Sequence, residues 1–412
     1  MKILQINSHY NQGGAAKIVT CIHRQLLKEG IDSRVAYGRG EVQNEQGVTM
    51  YGNTLGVLLS AFLSHVSGYS GYFNGHATKK LIKEIESFQP DVIHMHALHG
   101  YHLHIPMLFK YINKHNIPWV WTFHDCYAFT GNCGYYFDCE RWNDGCGDCP
   151  YIHNYPSSLF FDSTAKQWNR KKELFTASAK GVVVAPSRWL TEEAKKSFFG
   201  KYPCLTIHNG IDTEGTFYPR NREAAREKYG FSTQDKIVLG IAVGYKDPRK
   251  GAKYILQTAK ELSCEAKVVL IGWNSENDSM LEGLTNVVTI PNTKDADMLA
   301  EYYSLADVFV IPSLAENYAT TTIEALACGT PAVGFDAGGI PEQLEEGMGI
   351  AVPSGDQDAF TKAVQKVLRG EAELLTREER SERTREENSL AKMTEQYRGL
   401  YEEISIHVKG SA

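Results

Sequence analysis

The chain has 412 residues, of which 42% are hydrophobic and 22% charged, and its formal net charge is −6. That length exceeds what one core usually serves, so two domains are expected. The mildly acidic balance argues against a nucleic-acid protein, whose footprint is a basic field. No run reaches the ~18 apolar residues of a membrane span, and the opening MKILQINSHY reads as a first strand rather than a signal peptide. A soluble, cytoplasmic protein is expected, with its nine cysteines reduced or metal-bound.

Taken in order, Lys2 to Asn7 reads as a strand, and a turn at Asn11 to Ala16 leads into an amphipathic helix that ends near Gly30. Strand, glycine turn and helix open a Rossmann-like unit, and the pair Gly13 and Gly14 lets backbone come close to a ligand. Leu55 to Phe73 is an apolar stretch interrupted by Ser, His and Gly. It reads first as an ordinary core helix, and second as an interfacial helix or a lining for a lipid-linked acceptor. No basic residue lies within it, although Lys79, Lys80 and Lys83 follow. Pro90 to Ala97 is a buried strand whose His94 and His96 share one face, as a metal site needs, although metal binding is the lesser reading here. A helix is expected from Leu103 to Asn113 and a strand from Trp119 to Phe123.

His124 and Asp125 come next, at the edge of the sheet where α/β proteins place ligand groups. Cys126, Cys133, Cys139, Cys146 and Cys149 then fall within 24 residues. Cys146 and Cys149 have the Cys-x2-Cys spacing of a zinc half-site, and Cys133 and Cys139 can supply the other half. Structural Zn2+, disulfides and free thiols are three readings of this insert, in that order of preference. A helix from Gln167 to Thr176, a strand from Gly181 to Ala185, a helix capped by Ser187 and a strand from Cys204 to His208 complete the first half. The turn Asn209 to Asp212 then gives way to a linker.

The second half opens with a strand from Lys236 to Val243 and a loop, Gly244 to Gly251, that leads into a helix. Lysine and arginine on such a loop suit the neutralisation of a diphosphate. Strands follow at Lys267 to Ile271 and Val287 to Ile290, and then a helix from Asp295 to Ala306. Asp295 and Asp297 are read as charges complementing that helix's N-terminus. The densest stretch is Asp307 to Glu342: a strand from Val308 to Ile311, a loop with Glu316, a helix opening at Thr320 to Thr322, a strand from Ala332 to Phe335 and a glycine-rich turn. The threonines are expected to cap the helix, whose first-turn amides suit an anion. Glu316 and Glu324, with seven residues between them, supply acceptors for sugar hydroxyls. A strand from Ile350 to Val352, a helix from Asp358 to Arg369, a solvated helix or linker from Glu371 to Asn388 and a helix from Leu390 to Ile404 end the chain.

Gly13-Gly14, His124, Lys250, and the Glu316-x7-Glu324 pair in its strand, loop, helix and strand setting resemble glycosyltransferase family 4, over nearly the full length. The Cys-rich insert resembles one in bacterial members that build extracellular polysaccharide. The resemblance implies the GT-B α/β fold: two Rossmann-like doubly wound domains with a cleft between them and a C-terminal helix crossing back. Residues 1–212 would form the acceptor-side domain with the insert at 126–149, residues 213–388 the nucleotide-sugar domain, and 389–412 the returning helix.

It further implies retaining transfer of a sugar from a nucleotide-diphosphate donor, a UDP-sugar for preference, to a glycan or polyprenyl-linked acceptor of a cell-surface polysaccharide. Glu316, His124 and Lys250 would be catalytic. Gly13, Gly14, Arg249, Tyr245, Asn317, Tyr318, Ala319, Thr320, Thr321 and Glu324 would bind the donor, with Glu316 facing the sugar and Glu324 the ribose. The family has an arginine where this chain has Tyr245, so the second cation is Arg249, Lys246 or missing, and Arg249 is free to point away from the cleft. No catalytic metal and no nucleic acid are implied, and Cys133, Cys139, Cys146 and Cys149 would hold any structural Zn2+. Peripheral contact at the inner face of the membrane fits such an acceptor. An epimerase or phosphorylase of the same fold, and a non-catalytic nucleotide-sugar binder, are the competing readings.

Overall fold

The computed structural model describes every residue except 179, 242, 274–277 and 410–412. Contacts divide the chain into two units, Met1–His208 with Met393–Ala412, and Asn209–Lys392.

In the first unit the chain runs through β1 (Lys2–Asn7), α1 (Gly14–Lys28), β2 (Asp32–Tyr37), β3 (Val48–Met50), α2 (Thr54–Ser67), α3 (Gly75–Phe88) and β4 (Val92–Met95). It continues as α4 (Ile105–His115), β5 (Trp119–Thr122), α5 (Thr164–Phe175), β6 (Gly181–Ala185), α6 (Arg188–Lys196) and β7 (Cys204–Thr206). All seven strands are parallel, in the order β3-β2-β1-β4-β5-β6-β7. Helices cover such a sheet on both faces, which is why strands such as Gly181–Ala185 are buried along their whole length.

The second unit contains α7 (Arg222–Lys228), β8 (Ile237–Ile241), α8 (Ala252–Glu261), β9 (Lys267–Ile271), β10 (Val287–Ile290), α9 (Ala296–Leu305) and β11 (Val308–Ile311). After these come α10 (Thr320–Ala327), β12 (Ala332–Phe335), α11 (Ile340–Leu344), β13 (Gly349–Val352), α12 (Gln357–Arg369) and α13 (Arg377–Asn388). Its six parallel strands are ordered β10-β9-β8-β11-β12-β13. The last helix, α14 (Leu390–Lys409), brings Tyr397 and Tyr401 into the first unit, where both are buried.

Several expected elements are moved or recast. The strand expected to reach Val243 ends at Ile241, and Ala242 lies outside the described residues. The helix expected from Leu103 starts at Ile105, because the His104 ring accepts the Met107 amide as N-cap and Pro106 fits the first turn. The charged segment before Asn388 is a helix closed by a Thr376/Glu379 capping box, and it is not wholly solvated. Its Arg380 is buried and donates to the carbonyls of Gly329 and Leu375. Helix α2 forms, but the preferred reading of a core helix fails: Leu55, Leu58, Leu59 and Phe62 are each more than half exposed. Among the described residues no helix is long and apolar enough to cross a membrane.

Candidate active site

In each sheet the strand order reverses once, between β1 and β4 in the first unit and between β8 and β11 in the second. Loops leaving the carboxyl ends of two such strands diverge to opposite faces and leave a crevice, which is where open α/β sheets bind ligands. Within each unit, predicted residues lie on the loops that leave its own switch point. Gly13 and Gly14 follow β1, His96 and His99 follow β4, the loop to Lys250 follows β8, and Glu316 follows β11.

Because β8 and β11 are direct neighbours, their loops meet. Lys250 Nζ donates to Glu316 Oε2 at 2.7 Å, with the Arg249 guanidinium 3.7 Å from the same oxygen. Glu316 Oε1 accepts the Asn317 amide at 3.2 Å, which fixes the carboxylate against its own loop. Arg249, which sequence alone leaves free to point away, turns toward the oxygen that Lys250 bonds. Its Nη1 donates to Ala315 O at 2.9 Å, and its Nη2 stands 3.3 Å from Asp247. Gly251 is at φ +71, and a Cβ there would overlap Pro312 O, so only glycine lets the two loops come this close.

Helix α10 opens beside Glu316, but Thr320 to Thr322 do not cap it. Ala319 is the N-cap and has no side-chain bond to give, so the threonines occupy the first turn, with Thr320 and Thr321 half-buried. The N-cap residue itself is held by a side chain the sequence did not single out, and the first-turn amides receive no side-chain cap. Gln343, on α11, accepts the Ala319 amide at 3.1 Å and donates to the Ala319 carbonyl at 3.0 Å. Only the fold brings it 24 positions back along the chain, so no local signal marks it. Glu324 is buried and accepts the Tyr303 hydroxyl at 2.9 Å. Burial and the Glu324 charge together push the Tyr303 hydroxyl well above its usual range, so it stays a donor. Asn317 and Tyr318 are buried, and Tyr318 is bonded at its carbonyl by Asn209 and at its hydroxyl by Asn388. Tyr245 stacks on Trp273 at 4.0 Å between ring centroids and donates to Asp278. With Val243, Gly244, Lys246, Gly272 and Asn292 it lines a cavity of about 190 Å3.

In the first unit Gly13 is at φ +86 and starts α1 without a side-chain cap. A Cβ at Gly13 or Gly14 would meet nothing within 4 Å, so these glycines serve an open backbone surface rather than packing. His124 Nε2 is 3.1 Å from His96 Nδ1, with the rings stacked. Burial pushes the His124 imidazole down to about 4, so the ring is neutral at pH 7. Asp125 bonds His99 at 2.7 Å and the Tyr127 amide at 2.9 Å, and so braces the loop rather than His124. His94 does share a face with His96, yet it is spent on Tyr401 at 2.6 Å and Thr122 at 2.8 Å.

In the Cys-rich insert, Cys133, Cys139, Cys146 and Cys149 lie within electrostatic reach of one another. None of the nine cysteines is in a disulfide, and among the described residues no group of three or more His, Cys, Asp or Glu is placed to hold a metal ion. The insert is tied by Lys171, which sequence reasoning missed. Its buried ammonium donates to the carbonyls of Tyr127 at 2.6 Å and Thr130 at 3.0 Å and lies over the Tyr127 ring. Burial pushes Lys171 down to about 7.

Two family models together cover most of the chain. The model of Glycosyltransferase Family 4 matches residues 12–215, and that of Glycosyl transferases group 1 matches residues 221–387. The chain belongs to glycosyltransferase family 4. WcaC of Escherichia coli, a glycosyl transferase named for colanic acid biosynthesis, is 26% identical over 418 residues, which span 98% of this chain and 100% of that one. Among solved structures, sucrose-phosphate synthase of Thermosynechococcus elongatus aligns with a TM-score of 0.71 and 18% identity over 98% of this chain and 99% of that one. HepE of Anabaena, solved in complex with UDP, aligns at 0.69 and 15% identity over 98% and 100%. The family 4 fold is GT-B, as the sequence predicted, and the protein is a glycosyltransferase.

Proposed function

We propose that this family 4 enzyme is a retaining transferase that moves a sugar from a nucleotide-diphosphate donor, a UDP-sugar, to a glycan or polyprenyl-linked acceptor in cell-surface polysaccharide synthesis. The observation that carries the reading is the Lys250–Glu316 pair at the switch point of the second sheet, beside the start of α10. A cation and first-turn amides match a diphosphate, and a carboxylate matches sugar hydroxyls. A nucleotide sugar carries both kinds of group.

In this account Lys250 and the Thr320 and Thr321 amides take the charge that builds on the departing diphosphate, which is electrostatic stabilisation by groups already in place. Glu316 orients the transferred sugar and eases positive charge at its anomeric carbon. His124, neutral at pH 7, contacts the sugar by hydrogen bonding. Glu324 uses the acceptor capacity left beside Tyr303 for the ribose hydroxyls, Gly13 and Gly14 lend open backbone, and Arg249 is a secondary cation. Retention requires the acceptor oxygen to bond the anomeric carbon on the face the diphosphate leaves, so positioning outweighs a general base.

Support for the donor class comes from the UDP complex of HepE, and for the pathway class from the colanic acid role in the name of WcaC. A thermal-shift screen of nucleotide sugars and free nucleoside diphosphates tests the reading. Stabilisation by one nucleotide series is expected, and its loss in Lys250→Ala. A panel without any stabilising nucleotide would overturn it.

A further inference from the structure

The first unit carries an apolar surface that the donor site does not use. Helix α2 has no charged residue and exposes Leu55, Leu58, Leu59 and Phe62. The segment 158–163 closes against its C-terminal end: the Leu159 amide donates to His65 O at 2.8 Å and Ser163 Oγ to Ser67 O at 3.1 Å. That contact adds exposed Leu159, Phe160 and Phe161 to the same side of the molecule. Seven large apolar side chains, each more than half in water, exceed the scattered exposure of an ordinary surface.

Cations frame this surface. Asn74, at the start of α3, lies against Gly56 in the first turn of α2, so Lys79 and Lys80 follow close by. Lys166 and Arg170 lie on α5 just beyond the 158–163 segment, and Arg170 sits over the Tyr72 ring at 5.1 Å. All four are exposed, and none is held in an ion pair among the described residues. Asp162 is the acid within the segment, and its oxygens are engaged by Cys149 and Thr164. Helices α3, α4 and α5 together carry nine Lys and Arg against three Glu, a local excess in a chain of net charge −6.

We propose that α2 and the 158–163 segment form a membrane-docking face that inserts its leucines and phenylalanines into an anionic lipid surface, with Lys79, Lys80, Lys166 and Arg170 on the headgroups. At ~1.5 Å per residue the 14-residue helix is roughly 21 Å long. That is short of the ~30 Å hydrocarbon core, so it lies in the interface rather than across it. Apolar side chains supply the anchorage, and the cations supply the preference for anionic lipid. The proposal goes beyond the donor reading and does not depend on it.

The test is flotation of the purified protein with vesicles of phosphatidylglycerol and phosphatidylethanolamine, compared with phosphatidylcholine alone. Wild type floats with the anionic vesicles, and added salt lowers binding without abolishing it. Leu58→Ser/Phe62→Ser/Phe160→Ser loses roughly tenfold or more of that binding while melting like wild type, because these side chains fill no core. Lys79→Gln/Lys80→Gln/Arg170→Gln keeps the apolar anchor and loses the preference for anionic vesicles; it decides the matter if the first variant does not fold. Wild type that fails to float, or both variants floating like wild type, overturns the proposal. So does a dimer in sedimentation velocity that the serine variant splits while no form floats, which would assign the face to a second copy of the chain.

Discussion

Lys250→Ala removes the ammonium that stands 2.7 Å from Glu316, where the proposed function puts the diphosphate of the donor. A hydrogen bond to a charged group contributes about 1.5–3 kcal/mol, so the affinity for a nucleoside diphosphate should fall roughly tenfold to 150-fold. Arg249→Ala should cost less, because its guanidinium already serves Ala315 O and lies beside Asp247. Glu316→Gln separates binding from chemistry. In the ligand-free protein the carboxylate holds Lys250, and losing that charge releases the ammonium for phosphate. Binding of free diphosphate should therefore hold or tighten, while sugar transfer falls by roughly tenfold to hundredfold. Calorimetric titration of the three variants with nucleoside diphosphate reads the ordering directly. Equal losses in Lys250→Ala and Arg249→Ala would make Arg249 a second phosphate ligand. A Glu316→Gln protein that binds diphosphate as weakly as Lys250→Ala would refute the reasoning.

Gln343→Leu leaves the buried Ala319 amide without its acceptor, while the Ala319 carbonyl keeps the Thr322 and Ile323 amides, so chemical denaturation of the second unit should show a loss of about 1–3 kcal/mol. Lys171→Met strips two carbonyls of the insert of their donor, and a similar loss should appear in the first unit with nucleoside diphosphate binding unchanged. Elemental analysis decides the Cys-rich insert. About one zinc per chain, lost in Cys146→Ser, would support the four-sulfur reading, whereas no zinc together with four reactive thiols would leave the free-thiol reading.

Strand, turn and helix alternation sufficed to read two doubly wound units, because a parallel sheet buries whole strands and leaves uninterrupted apolar runs such as Val308–Ile311. The Glu316 and Lys250 positions were legible because a loop after a strand end is where this architecture puts ligand groups, and strand adjacency then joined them. Sequence could not show partners supplied by distant elements. Gln343 reaches Ala319, Tyr303 reaches Glu324 and Lys171 reaches Tyr127 only after helices have packed. Threonines at a helix start look like caps, yet the cap is one residue earlier and is satisfied from α11. The apolar run in α2 was misread for a related reason: hydrophobicity alone does not say whether a face meets protein or something outside it.

The central claim is that this site takes a nucleotide-diphosphate sugar and transfers the sugar with retention. Proton NMR of a nucleotide-sugar incubation with a glycan or polyprenyl-linked acceptor tests it most directly, since it follows donor loss and the configuration of the new anomeric centre together. Nucleoside diphosphate release, a product with the donor's anomeric configuration, and turnover that falls in Glu316→Gln and Lys250→Ala are expected. An inverted product, or turnover indifferent to both substitutions, would contradict it.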